Sequence, residues 1–331
     1  MPGFITHLTF GEQTLSFLKS NNTKTLLEKH NNVFNLGLQG PDIFFYHIPA
    51  YIFYKKNIGN VMHRSKTMLF FDALLDGRNN FDNVIDQNVC DAYIIGFIGH
   101  YTLDVACHPY IYYRSDHFNN LKRSGIYDFG KHVSLETDID HIILDYYHHM
   151  LPSQFDYRSS VKPNSHEHEI ISELLFFAIN KTYPEYHLRL GTISHAINSF
   201  CNLNHAMHDP DGKKKQHIRK IEQLFFGCAV ISSMIPSDKK IKYNDPCNKF
   251  HNEWHNPWYP QVPRTESVID LINRTMPDYI KRIELYVNAI EFSAADMTPL
   301  EETNYFLHQR NLLLAELSDL SYLSGLPIEE G

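Results

Sequence analysis

Residues 99–109 read Gly-His-Tyr-Thr-Leu-Asp-Val-Ala-Cys-His-Pro, and residues 131–140 read Lys-His-Val-Ser-Leu-Glu-Thr-Asp-Ile-Asp. The first stretch spaces His100, Asp104 and His108 four residues apart, and the second repeats the interval with His132, Glu136 and Asp140. Residues four apart share one face of an α-helix, so each stretch predicts a helix carrying three metal-ligand types in a row. Imidazole nitrogen and carboxylate oxygen bind zinc at roughly 2.0–2.2 Å, and side chains one turn apart can meet one ion without distorting the helix. Two such helices side by side form the kind of cage in which helical bundles hold metals. Taken singly, a histidine and a carboxylate one turn apart are more often a surface ion pair. Here the flanks are apolar (residues 93–98 before the first stretch; Ile139, Ile142 and Ile143 in and after the second), which predicts burial. A buried charged group needs a partner or a metal. Pro109 predicts the end of the first helix, with His108 at a mouth open to solvent.

Apolar residues recur at three- and four-residue spacing over 85–108, 132–150, 168–179, 218–235, 267–290 and 304–320, whereas alternating strand patterns are scarce. The chain therefore reads as all-α: one bundle-like domain over residues 1–321, with its metal ligands in 1–140 and supporting helices in 141–321. Residues 322–331 read as a C-terminal tail that ends in acidic residues. Breakers fall at 37–41, 57–60, Pro109, 159–164, 209–212 and throughout 236–263. The last of these, containing Trp254, His255, Asn256, Pro257 and Trp258, reads as a long loop, and such loops are often functional.

With 43% hydrophobic residues, 331 residues suffice for a large core, and 22 Phe and 20 Tyr supply much of it. The formal net charge of −8 argues against broad attachment to nucleic acid or an anionic membrane. Lys213, Lys214 and Lys215 read most simply as a solvated helix start. Five widely spaced cysteines with no C-x-x-C pair suggest neither a disulfide framework nor a thiolate metal site. No secretory signal and no apolar run of membrane-spanning length is visible, so a cytoplasmic protein is expected. Histidine is in excess, at 21 residues, more than either glycine or proline.

Three further polar residues sit beside apolar ones: His7, Asp42 in Gln-Gly-Pro-Asp-Ile-Phe-Phe, and His63 in Val-Met-His-Arg. Each reads equally as a capping or core residue; Asp42, for example, could cap a helix starting at Ile43. His205, His208 and Asp209 have ligand-like spacing but also the look of a helix end. In order and type, His7, Asp42, His63, His100, Asp104, His108, His132 and Glu136 resemble the ligand series of the zinc-dependent phospholipase C family, whose relatives include the single-strand-specific zinc nucleases. The likeness by motif covers residues 1–140. It implies one zinc held by Asp42, His63, His100 and Asp104, and a second by His108, His132 and Glu136. A third would use His7, Asp104 and the chain's amino end, with His117 as the substitute for His108 if Pro109 disturbs that position.

The resemblance implies a phosphodiester hydrolase, with a phospholipid or small phosphodiester as substrate. Closely spaced zinc ions neutralise a phosphate and lower the pKa of water toward about 7. Asp42 is the candidate to position or deprotonate that water, and Asp140 the candidate to orient a ligand imidazole. Tyr101, Tyr110 and Phe44 read either as pocket lining or, more simply, as core. Two other readings stand beside the first. One is a single-strand nuclease or nucleotidase, although net acidity argues against a stable nucleic-acid partner; the other is a non-catalytic helical protein with closed structural zinc sites.

Overall fold

The longest helix is central to the fold. A computed structural model describes residues 3–46, 57–116, 125–206, 209–229, 231–238, 243–290 and 298–328. Helices α1 (Phe4–Phe17), α2 (Asn21–Lys29), α3 (Asn31–Gly37), α4 (Ile58–Met62) and α5 (Thr67–Arg78) precede α6 (Val84–Arg114). The Asn83 side chain starts α6 by accepting the Asp86 amide, and most of the helix from Val89 to Ile111 is buried. Packing between α3 and α6 is close enough for backbone contact. A Cβ on Gly96 would lie 2.2 Å from the Phe34 carbonyl, and one on Gly37 would lie 2.2 Å from the Tyr93 carbonyl.

Pro109 does not end this helix, contrary to the expectation from sequence; α6 continues to Arg114. An interior proline costs about 3 kcal/mol. Beyond it, Tyr110 and Ile111 are fully buried, worth about 1.5–3 kcal/mol each, and the Tyr110 hydroxyl donates to the Pro246 carbonyl. Burial therefore outweighs the lost bond. The Val105 carbonyl, which Pro109 cannot serve, lies against Gly325, where a Cβ would come within 2.6 Å of it.

After α6 follow α7 (Gly125–His148), α8 (Ser165–Thr182), α9 (Leu190–Ala206), α10 (Lys213–Phe226), α11 (Ile231–Met234), α12 (Val268–Ile290) and α13 (Pro299–Leu317). Capping boxes at Asn164/Glu167 and Thr298/Glu301 start α8 and α13 earlier than the apolar periodicity predicts. The predicted helix over 218–235 is broken at Gly227, giving α10 and α11. α1 packs on α6 and α7, α8 on α5 and α6, and α12 on α6 and α13, around a common apolar cluster. The fold is all-α. The stretch read as a long loop holds a hairpin, β1 (Trp254–Asn256) with β2 (Tyr259–Arg264), where Arg264 covers the Trp254 ring at 4.4 Å. All five cysteines are free, and among the described residues no helix is long and apolar enough to cross a membrane.

The segment expected to be a tail is instead packed from Tyr322 to Ile328. The Tyr322 ring is buried, its amide donates to the His63 carbonyl, and the Ser321 and Ile328 amides bond to Leu326 and Asp319. An aromatic side chain that enters the core brings its backbone with it. Residues 329–331 lie outside the described residues.

Candidate metal centre

Five elements bring the predicted ligands together. His7 lies in the first turns of α1, Asp42 in the 3-10 turn Gly40–Tyr46, and His63 just after α4. His100, Asp104 and His108 come from α6, and His132 and Glu136 from α7. Asp104 is fully buried among imidazoles. Its Oδ2 is 3.0 Å from His100 Nε2 and 3.5 Å from His63 Nε2, and its Oδ1 is 3.2 Å from His7 Nε2. Asp42 Oδ1 is 3.2 Å from His63 Nε2, and His132 Nε2 is 2.7 Å from Glu136 Oε1.

Three sets could each hold a cation: His7, Asp42 and His100; His63, His100 and Asp104; and His108, His132 and Glu136, with ligand atoms within 4.8 Å of one another in each. The last set is the one the resemblance implies for a second ion. The first two share His100 and divide the remaining residues differently, bringing His7 beside Asp42. The amino end and His117 lie outside the described residues, as do His208 and the His205 side chain. Asp209 caps α10 by accepting the Lys214 and Lys215 amides.

Backbone carbonyls aim the imidazoles. Nδ1 of His63 faces the Gly59 carbonyl at 2.6 Å, Nδ1 of His100 the Leu38 carbonyl at 3.1 Å, and Nδ1 of His108 the Tyr322 carbonyl at 2.6 Å. A carbonyl can only accept, so each Nδ1 carries the hydrogen and each ring turns its Nε2 inward, as a lone pair when that nitrogen is unprotonated. Those Nε2 atoms, both Asp104 oxygens, Asp42 Oδ1 and both His7 nitrogens are buried without a hydrogen bond. Buried lone pairs converging in this way are costly by themselves and suit a cation. A zinc-type donor set of nitrogen and carboxylate oxygen therefore fits the site.

Electrostatics point the same way. Burial alone would push the Asp104 carboxyl up, but His100 and His108, followed by His63, hold it well below the usual carboxylate range. Burial, with His100 stacked at 4.3 Å, lowers His7; burial lowers His108 strongly. At His63 burial is overcome by Asp104 and Asp42, which raise it to about 9. Two carboxylates that draw a proton onto this nitrogen would equally attract a metal. Burial opposes ionisation of Glu136, but His132 holds its carboxyl below the usual value.

Asp140 does not touch a ligand imidazole. Its carboxylate accepts the Ile5 amide at 3.0 Å, the Thr6 amide at 2.9 Å and the Thr6 hydroxyl at 2.6 Å. It thus caps α1 from another helix and sets the position of His7 through the backbone. Burial pushes its carboxyl up to about 7 against those bonds.

A cavity adjoins the cluster, lined by Asp42, Glu136 and Asp140 together with Phe4, Phe45, Tyr46, Phe129, Tyr157 and Phe200. Tyr101, Tyr110 and Phe44 are core residues outside it, the simpler of their two readings. The aromatic lining was missed because Phe4, Phe45 and Phe200 look like any core residues in sequence. Tyr322 was missed because it acts through its carbonyl. The hairpin contributes from behind: Trp258 packs on Tyr112, which packs on His132.

The C-terminal turn therefore supports His108 and His63 together. Gly325 has φ +66° and no room for a Cβ. Gly325→Val is expected to shift the turn and weaken metal binding about 10- to 100-fold, as loss of a hydrogen bond to a ligand does. Chelator competition, with circular dichroism to verify folding, measures this; a folded variant of unchanged affinity would refute it.

No curated protein and no solved structure matches the chain significantly. Residues 6–192, more than half of the chain, match the family model described as "Zinc dependent phospholipase C". With its helical fold and the clustered histidines and carboxylates, the chain belongs to the zinc-dependent phospholipase C family.

Proposed function

We propose that the chain is a phosphoric ester hydrolase that cleaves a phospholipid or small phosphodiester with two zinc ions, and a third held in part by His7 and Asp104. Asp42, His63, His100 and Asp104 would hold one ion, and His108, His132 and Glu136 another. The observation that carries this reading is the convergence of unpaired, buried Nε2 and carboxylate atoms next to the aromatic cavity. Zinc held there would offset the phosphate's negative charge and make water more acidic.

The protein's own groups do the rest. Asp42 belongs to both places: its Oδ1 faces His63, and its side chain borders the cavity. It is the carboxylate that can orient a water toward a phosphate and take its proton. The aromatic walls exclude water and receive an apolar part of the substrate. No lysine or arginine lines the described cavity, so it lacks the cationic track that a polynucleotide backbone requires.

Hydrolysis of a chromogenic phosphocholine ester and of single-stranded DNA, with metal analysis of the same preparation, tests the reading. Zinc-dependent cleavage of the ester supports it; cleavage of DNA alone favours a nuclease, and zinc without either activity favours a structural role. Asp42→Asn should lower kcat about 100-fold or more, the ordinary scale of general-base catalysis, with zinc content measured alongside to separate loss of the base from loss of a ligand. Full activity in that variant would remove Asp42 from the mechanism.

A further inference from the structure

Helix α10 reads Lys-Lys-Lys-Gln-His-Ile-Arg-Lys-Ile-Glu-Gln-Leu-Phe-Phe and packs chiefly on the short α11. Leu224 is 82% and Phe225 74% exposed, and Ile221, one turn before them, is 46% exposed. The first half of the helix is basic. Lys213, Lys214, His217, Arg219 and Lys220 are all exposed, and Lys213 also pairs with Asp211 at 2.7 Å. Positions 213, 217, 220 and 224 run down one side, and 214, 221 and 225 lie beside them, so the cations and the apolar residues share a surface.

The remaining charges of the helix turn inward. Glu222 is buried and accepts the Ile231 and Ser232 amides, and Lys215 donates to the Ile235 carbonyl at 2.9 Å. The helix thus carries five lysines and arginines against one carboxylate, a net +4, in a chain whose formal charge is −8. Exposed bulky apolar residues at one end of a helix and cations along the same side offer one surface both apolar burial and attraction to lipid phosphates, the two contributions that hold a protein at an anionic lipid interface.

We infer that this face of α10 docks on an anionic lipid bilayer. The connection to the cavity is direct. α11 follows α10, its Met234 and the next proline, Pro236, line the cavity, and the Ser233 carbonyl accepts the Thr137 hydroxyl of α7 at 2.7 Å. The ligand helix and the lipid-facing helix are therefore joined through α11. The overall acidity argues against broad attachment but leaves room for this local contact, because repulsion from charges beyond about 8–10 Å is screened at physiological salt while α10 touches the surface.

The inference builds on the phosphodiesterase reading of the cavity, but vesicle binding needs no turnover, so the two can fail separately. Co-sedimentation of the full chain, with zinc and with chelator, is measured on vesicles of equal parts phosphatidylcholine and phosphatidylserine and on phosphatidylcholine alone. Binding is expected to the mixed vesicles, to weaken with salt, and to fall at least tenfold both in Leu224→Asp/Phe225→Asp and in Lys214→Glu/Lys220→Glu. Hydrolysis of a soluble chromogenic ester should stay unchanged in both double variants, which also verifies their folding. Absent binding by the parent chain, or equal binding by folded variants, overturns the inference. So would light scattering that finds a dimer which the apolar-face substitutions dissociate, since that face would then belong to a second copy.

Discussion

Asp104→Asn is expected to lose the zinc held with Asp42, His63 and His100 and to lower phosphodiester hydrolysis by about 10,000-fold or more, the combined scale of lost metal and lost electrostatic stabilisation. The reason is positional. Both Asp104 oxygens are used, Oδ1 toward His7 and Oδ2 toward His100 and His63, at 3.0–3.5 Å. The residue is completely buried, so no water replaces its charge. Asparagine keeps the shape, removes the negative charge and points an amide N–H at a nitrogen lone pair or a cation. Zinc content by elemental analysis and initial rates on a phosphocholine ester report the two losses. A variant with native helicity, full zinc and a near-native rate would remove Asp104 from the centre.

Metal removal is the second large effect, and its readout is stability. Without a cation, the inward Nε2 atoms of His7, His63, His100 and His108 and the facing oxygens of Asp42 and Asp104 are buried without hydrogen bonds. Each buried, unsatisfied polar group costs about 1–3 kcal/mol, so the metal-free fold carries a concentrated penalty. A ligand that binds only the folded chain at 1,000 times its Kd stabilises by about 4 kcal/mol. For a chain of this size that is roughly 5–10 °C in Tm. Thermal unfolding followed by circular dichroism, before and after chelation and after zinc is restored, should show the drop and its reversal. A Tm indifferent to chelator, in protein that contains no zinc as purified, would refute a resident metal.

Much of this centre was legible because the α-helix is periodic. His100, Asp104 and His108 had to share a face once 99–109 was read as helix, and the same holds for His132 and Glu136. The helices that tertiary contacts rather than apolar periodicity define, α1 to α5, were not legible in that way, since α1 has buried residues around most of its surface. Pro109 misled for a related reason: a local rule predicts termination, but burial of Tyr110 and Ile111 is a long-range contribution. Asp140 kept its predicted face and acquired a different partner, the first turn of a helix 134 residues earlier.

By itself the amino-acid sequence determined the fold class and which metal-binding residue types share a helix face, because helical spacing and side-chain chemistry are properties of neighbouring residues. Only the tertiary structure decided which imidazole nitrogen faces the cluster. The groups that orient His100 and His108 are the carbonyls of Leu38 and Tyr322, 62 and 214 residues away in the chain. A backbone carbonyl belongs to every residue type, so it orients a ligand without leaving any signature in the sequence.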